Sequence, residues 1–317
     1  MDIIIFEKQH IKAAMALALE SYNEERKFVK DLPQACNLPD LNGFTENGLG
    51  VTAFENEKMV GFLCCYGPFD NAFGATDVRG VFSPMGANAA ISGNRSKIYA
   101  AMYQAAGSKW VKSGAVSHSI CLYAHDEALH RQFYHYGFGL RCIDAIRPME
   151  LIDCNPCTDY NFAELPNCEC HLVYPLYMAL NRHFLESPFF MNRRPQTQEA
   201  FIESSVHDGM RFFVAEKNGK LCAFLSVSAF GETCVAAGNT YRHISDAYCL
   251  PEHRGKGLYQ NLLNYTMSTL KKDGYTKLGV DFESFNPTAR GFWLKYFTAY
   301  TNGVVRRIDE RILKQRC

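Results

Sequence analysis

The sequence predicts an α/β (α+β) protein of two domains, and three observations carry that expectation. The chain has 317 residues, enough for about two domains at roughly 150 residues each. Its composition, 47% hydrophobic and 21% charged, is that of a globular chain and excludes a disordered or low-complexity one. Strand-like and helix-like segments also follow one another in the same order in both halves.

The first half opens on a helical pattern over 11–29. A hairpin follows at 53–63, then a strand ending at Ser83-Pro84 and an amphipathic helix. A strand at 119–123, a helix and a last strand at 140–147 close it. The second half repeats this order: a helical region over 174–205, a hairpin at 214–225, a strand ending at Leu250-Pro251, a helix, a strand at 277–282, a helix and a final strand at 303–312. Two segment pairs align with nearly one offset. Phe62 and Phe224 are 162 residues apart, and Asp126 and Asn286 are 160 apart. That agreement points to a duplicated domain. Pro148, Pro156 and Pro166 cluster around 149–167, which places the break there and predicts domains 1–150 and 151–317.

Charge excludes several function classes. Lys plus Arg and Asp plus Glu each number 33, so there is no basic excess for phosphate neutralisation and no nucleic-acid partner is expected. No apolar run reaches the roughly 18 residues of a membrane span. The N-terminus lacks a basic n-region, and Glu7, Lys8, Gln9, His10 and Lys12 interrupt its apolar stretch, so the expected location is cytoplasmic. In a reducing compartment most of the thirteen cysteines are expected as small, buried apolar residues. Cys154-x-x-Cys157 and Cys168-x-Cys170, with His171 adjacent, offer four thiolates for zinc. The one-residue spacing of the second pair weighs against that reading, and no metal site is expected. His118, His125, His130 and His135 lack regular ligand spacing and read as packing, capping or surface residues.

The segment 244–263 carries the chemistry. Its first residues read as a buried strand that Pro251 ends, because proline has no N–H for the ladder. His253 to Gly257 form a basic glycine turn, and Leu258, Leu262, Met267 and Leu270 recur at helical spacing after it. A strand, a glycine turn and a helix N-terminus together make an anion cradle. Glycines let the backbone approach closely, the first helical N–H groups lack partners, and Arg254 and Lys256 add charge. A pyrophosphate suits that chemistry. The alternative is a surface turn with two solvated cations. The segment is neither a P-loop, since Leu258 follows Gly255-Lys256-Gly257, nor a Rossmann fingerprint, since Gln260 stands at the third glycine.

Pro251-Glu-His-Arg-Gly-Lys-Gly-Leu, the helix and strand after it, and Asn286-x-x-Ala289 resemble the acyl-CoA-binding signature of the GNAT N-acetyltransferase superfamily. Arg254, Lys256 and Gly257 fall in register with that family's Arg/Gln-x-x-Gly-x-Gly/Ala loop, and Tyr259 stands at its last small position. The resemblance covers about 242–297, more weakly 210–225, with an echo over about 51–147. It implies two GNAT-like domains, each a mixed, mostly antiparallel central sheet flanked by helices. It further implies acetyl-CoA as co-substrate, held by the backbone of Arg254, Gly255, Lys256, Gly257, Leu258 and Tyr259. The strand edge at Tyr248, Cys249 and Leu250 would pair with pantetheine, and Asn286, Ala289 and Trp293 would lie along it.

The activity implied is acetyl transfer to an amine by direct attack on the thioester, which needs a base, oxyanion donors and a route for the thiolate to leave. Trp293 stands where many family members place an acidic Tyr, and an indole donates a hydrogen bond without acting as an acid. Tyr296, Tyr300 and Tyr248 are the nearby phenols. Asp246 is the first candidate base, with His243 three residues earlier and Asp281 and Glu283 on one strand face. The first half has no Arg-x-x-Gly-x-Gly after Pro84, and Phe133 stands at its Tyr position, so it is expected not to bind CoA productively. A non-catalytic CoA-binding sensor is the alternative, and a zinc-stabilised interaction protein a weaker one. The acceptor amine and the oligomeric state are not legible; a homodimer is one state the sequence allows.

Overall fold

A computed structural model describes residues 1–34, 36–74 and 77–314. The chain divides into two compact units. Unit 1 is Met1–Asp144 together with the segment from Ala299, and unit 2 is Ala145–Thr298.

Unit 1 contains β1 (Asp2–Ile5), α1 (Ile11–Phe28), β2 (Val51–Glu55), β3 (Lys58–Leu63), β4 (Tyr66–Phe69), β5 (Gly80–Ser83), β6 (Asn88–Ala90), α2 (Arg95–Lys112), β7 (Ser117–Tyr123) and α3 (Glu127–His135). β8 (Gly139–Pro148) follows and runs across the division. The hairpin β2–β3 pairs antiparallel with β1 and β6, while β5 runs parallel to β7. α2 lays Ile98, Met102, Ala106 and Trp110 into the core, where the Trp110 indole N–H donates to the Leu49 carbonyl at 3.1 Å. Paired in this way, the buried indole carries no unsatisfied polar group.

Unit 2 contains β9 (Asn161–Leu165), α4 (Tyr174–Leu185), α5 (Gln198–His207), β10 (Arg211–Lys217), β11 (Lys220–Ser228), β12 (Tyr241–Cys249), α6 (Leu258–Lys272), β13 (Lys277–Glu283) and α7 (Pro287–Tyr296). Its strands lie in the order β9-β10-β11-β12-β13, antiparallel except for the parallel pair β12–β13. Both units are thus mixed, mostly antiparallel sheets with flanking helices, as the resemblance implied.

Three details differ from the sequence reading. The helical region at 174–205 is two helices, because the residue before Pro188 disfavours helix and Thr197 starts a new one by accepting from Ala200 N at 3.3 Å. The boundary stretch holds an edge strand, β9, which pairs with β10 from Phe212↔Leu165 to Glu216↔Asn161. The last strand, β14 (Thr298–Arg307), pairs antiparallel with β7 from Thr301↔Tyr123 to Arg307↔Ser117. Those backbone bonds draw the segment from Ala299 into unit 1, so the compact units depart from a simple break at 150/151. Tyr300, a candidate phenol by sequence, goes with it and is buried in unit 1.

Six of the described cysteines are buried, and those of the 154–168 stretch are not. Cys154, Cys157, Cys168 and Cys170 form no metal-binding group among the described residues. No described helix is long and apolar enough to cross a membrane.

The two helices after the parallel strands start alike. Asp126 caps α3 by accepting from Leu129 N at 2.9 Å, and Asn286 caps α7 by accepting from Ala289 N at 3.0 Å. Pro287 follows at the first helical position, where its missing N–H costs nothing. Replacing Asn286 by Ala is expected to destabilise the chain by about 1 kcal/mol, the worth of a cap. Urea denaturation of N286A checks it.

Candidate active site

A one-residue mismatch opens the sheet of unit 2. β11 and β12 pair from Ala223↔Cys249 to Leu225↔Ala247, and then again from Val227↔Ile244. Ser226 alone therefore faces two residues, Ser245 and Asp246, which is a β-bulge. The Ser226 hydroxyl accepts from Asp246 N at 2.9 Å and fixes the bulge. On its other edge β12 pairs with β13 only from Tyr241↔Lys277 to Ile244↔Val280. Beyond Ile244 the two strands part. That fork leaves the β12 edge at Ala247, Tyr248 and Cys249 without a strand neighbour on that side among the described residues.

A cavity of about 340 Å³ fills the fork. Ala247, Tyr248 and Cys249 line one wall, and Asn286, Thr288, Ala289, Phe292 and Trp293 of α7 line the other. Leu180 and His183 of α4 contribute from the side. The turn from His253 to Gln260, with Arg254, Gly255, Gly257, Leu258 and Tyr259, forms the third side.

The turn has the geometry an anion requires. Gly255 and Gly257 adopt φ of 73° and 78°, a region L-residues occupy at a cost of about 1–2 kcal/mol. A Cβ on Gly255 would meet nothing within 4 Å, so its backbone faces open space. The first amide bond within α6 is Asn261 N to Gly257 O, so the N–H groups of Leu258, Tyr259 and Gln260 lack intrahelical partners. Arg254 is held by its Nε–H donating to Cys249 O at 2.9 Å, with its guanidinium 5.4 Å from the Tyr248 ring centroid. The turn is clasped from outside: Asn261 accepts from Cys157 N at 3.3 Å, and Cys157 Sγ donates to Lys256 O at 3.4 Å.

Most residues anticipated for acyl-CoA meet at this cavity, but two do not line it. Leu250 lies just past the β12 edge, its N–H given to Cys222 O. The exposed Lys256 donates from Nζ to Glu252 O at 2.8 Å. Tyr259, at the loop's small position, turns its ring into the cavity wall, edge-on to Phe292 at 5.3 Å, and donates from its hydroxyl to Phe224 O at 2.9 Å. Burial pushes that phenol well up, so it stays a donor. Trp293 is buried against Tyr259 and Phe297. Tyr296 lies one helical turn beyond the lining, 5.1 Å from Phe292 between ring centroids.

The candidate base and its neighbours stand at the base of the fork. Asp246 is half-buried, and its Oδ1 lies 3.7 Å from Arg193. Burial raises its pKa, opposed by Arg193 and reinforced by the charge of Asp281. His243 is buried with both ring nitrogens occupied: Nε2 lies 2.6 Å from Asp281 Oδ1 and Nδ1 lies 2.9 Å from Tyr241 Oη. On the cavity wall, burial and the Arg254 charge lower the pKa of His183. Burial raises Tyr248 and pushes Cys249 up to about 11.

Sequence reasoning missed Leu180, His183, Ala247, His253, Gln260, Thr288 and Phe292. Thr288 and Phe292 were within reach as neighbours of Asn286 and Trp293. His183 and Leu180 carry no local signal, because α4 approaches β12 only through tertiary packing.

At the corresponding place in unit 1, side chains reach across between the strands. β5 runs beside β7 to Ser83↔Ile120, and then β6 departs to pair with β3. The buried Asn88 amide donates across this gap to Ser83 Oγ at 2.9 Å, Pro84 O at 3.3 Å and Cys121 O at 3.2 Å. Tyr99 donates to Asn88 Oδ1 at 2.7 Å. Arg95, opening α2, pairs with Asp126 at 2.9 Å and with Glu24.

Residues 178–297 match the family described as acetyltransferase (GNAT). Among solved structures, a GCN5-related N-acetyltransferase from Sphaerobacter thermophilus is similar, with a TM-score of 0.58 and 10% identity over 96% of this chain and 95% of that one. A GCN5-related glucosamine N-acetyltransferase region of a fungal multi-domain GH3 β-N-acetylglucosaminidase is also similar. Its TM-score is 0.53 at 15% identity, over 96% of this chain and 38% of that chain. A tandem GNAT protein from the clavulanic acid biosynthesis pathway aligns over 96% of this chain and 98% of its own, with a TM-score of 0.48 and 13% identity. At such identities the likeness is one of fold. No curated protein matches the sequence.

Proposed function

We propose that this chain, a GNAT superfamily protein, transfers an acetyl group from acetyl-CoA to an amine by direct attack on the thioester. The observation that carries the reading is the fork. One unpartnered strand edge, one helix face and one glycine turn with open amides bound a single cavity. In this reading the pyrophosphate rests on the amides of the Arg254–Tyr259 turn, and the pantetheine amides pair with the β12 edge. The thioester then lies toward the bulge, beyond Ala247.

Asp246 accepts a proton from the acceptor ammonium. The freed nitrogen attacks the thioester carbonyl, the C–N bond forms and the C–S bond breaks. The nitrogen's second proton goes to the departing sulfur, so the products are an amide, CoA thiol and one proton left on the carboxylate for solvent. A thiol pKa of about 8.5 makes the thiolate a tolerable leaving group, aided by hydrogen bonds from Trp293 or Tyr248. Trp293 at the place of an acid also favours a second reading, a CoA-binding module without turnover. A thiol-release assay against an amine panel separates the two. Acceptor-dependent CoA production supports the transferase, and binding without turnover supports the sensor.

Only unit 2 binds acyl-CoA in this account, because Asn88 and Arg95 bridge the equivalent gap in unit 1. Titration of CoA into the full chain is expected to give one site per chain; two equal sites would contradict it.

A further inference from the structure

His243 is an obvious candidate base by sequence, yet its contacts suit a different task. Asp281 is the first residue of β13 past the last paired position, Ile244↔Val280. Asp246 is two residues past it on β12, so the two carboxylates stand on the two arms of the fork. A neutral imidazole donates from one nitrogen and accepts at the other. With Asp281 at 2.6 Å from Nε2, the Nε2–H donates to the carboxylate, and Nδ1 accepts from the Tyr241 hydroxyl at 2.9 Å. Neither nitrogen is then left to take a proton from an acceptor.

The backbone makes room for this chain of groups. A Cβ on Gly279 would lie 1.5 Å from Tyr241 Oη, and one on Gly231 would lie 2.7 Å from His243 Nδ1. Any side chain at 279 would displace the tyrosine, and one at 231 would push on the imidazole. The charged groups facing Asp246 are Arg193, from the segment between α4 and α5, and Asp281 from β13. Behind Asp281 stands His243, and a Glu232 carboxylate oxygen lies within 4.8 Å of an Asp281 carboxylate oxygen.

We propose that His243 and Tyr241 are positioning residues for the acyl transfer: together they fix the Asp281 carboxylate across the fork from Asp246, the group that takes the acceptor's proton. The inference rests on the transferase reading. A fixed negative charge at Asp281 disfavours a second charge on Asp246, which makes Asp246 the stronger base. Removing the Asp281 charge therefore weakens Asp246 as a base and moves the acid limb of the rate profile to lower pH.

The test compares kcat against pH, the KM for acetyl-CoA and the CoA Kd in the full chain, with D281N, H243L, H243Q and Y241F. Gln places an amide donor near the original Nε2, whereas Leu keeps the bulk and removes the donor. D281N and H243L are expected to lose about 10-fold or more in kcat, within the usual worth of proton-transfer catalysis, and to shift the acid limb down. H243Q recovers most of the rate, and acetyl-CoA KM and CoA Kd stay unchanged throughout. Y241F, which removes one hydroxyl, moves the limb in the same direction if H243L does not fold. Wild-type kcat and limb in D281N and Y241F would overturn the proposal while leaving the transferase reading intact. Equal losses in H243L and H243Q, with a falling melting temperature, would also overturn it. CoA binding by the wild type without turnover on any amine would remove the transferase reading itself, and this inference with it.

Discussion

Reversing both charges of the turn, in R254E/K256E, is expected to weaken CoA binding by about 100-fold or more. Hydrogen bonds to charged groups contribute roughly 1.5–3 kcal/mol, and each 1.4 kcal/mol is tenfold in affinity. A sign reversal beside a pyrophosphate adds repulsion to the lost contact. Arg254 should dominate, because it lines the cavity, whereas Lys256 is turned to the Glu252 carbonyl and exposed. K256E alone is accordingly expected to stay within about threefold of wild type once salt screens the exposed charge. Arg254 also ties the turn to Cys249 O, so thermal melting of each variant should accompany the titrations. A double variant that melts as wild type and binds CoA equally well would contradict the assignment of the turn.

Asp246→Asn is expected to lower kcat by about 10²–10⁴-fold, the range of a general base, with little change in CoA affinity. Asn keeps the shape of the side chain and leaves the backbone N–H bond to Ser226 Oγ in place. The pH dependence has a definite sign. Asp246 acts as a base only when ionised, and burial raises its pKa above the ordinary 3.8. Wild-type turnover should fall as pH drops through that raised value, while D246N loses this limb. Steady-state rates from pH 4 to 9 in both proteins measure it. Unchanged kcat in D246N would move the proton-accepting role elsewhere.

The parts of this site that the sequence makes legible are those whose chemistry is local. Gly255 and Gly257 announce a backbone that needs positive φ, and Asn286-Pro287 announces a helix start, each within a few residues. The order of strands and helices is legible for the same reason, since periodicity is a property of neighbours. The fork is not legible, because the bulge at Ser245–Asp246 exists only relative to Ser226, twenty residues away on another strand. His183 enters through packing of α4 and has no motif to mark it. The pairing of β14 is not legible either, because its partner, β7, lies about 180–190 residues earlier in the chain. The missing glycines of the first half are legible in the sequence, but the groups that cross the gap there, Asn88 and Arg95, are not. Both are ordinary polar residues until the fold brings Cys121 and Asp126 to them.

A crystal structure of the full chain grown with CoA tests the central claim most directly. The account predicts the diphosphate on the amides of Arg254–Tyr259 and the pantetheine along the Tyr248–Cys249 edge, with the sulfur pointing toward Asp246. Coenzyme density seated elsewhere, or crossing the gap bridged by Asn88 in unit 1, would contradict it.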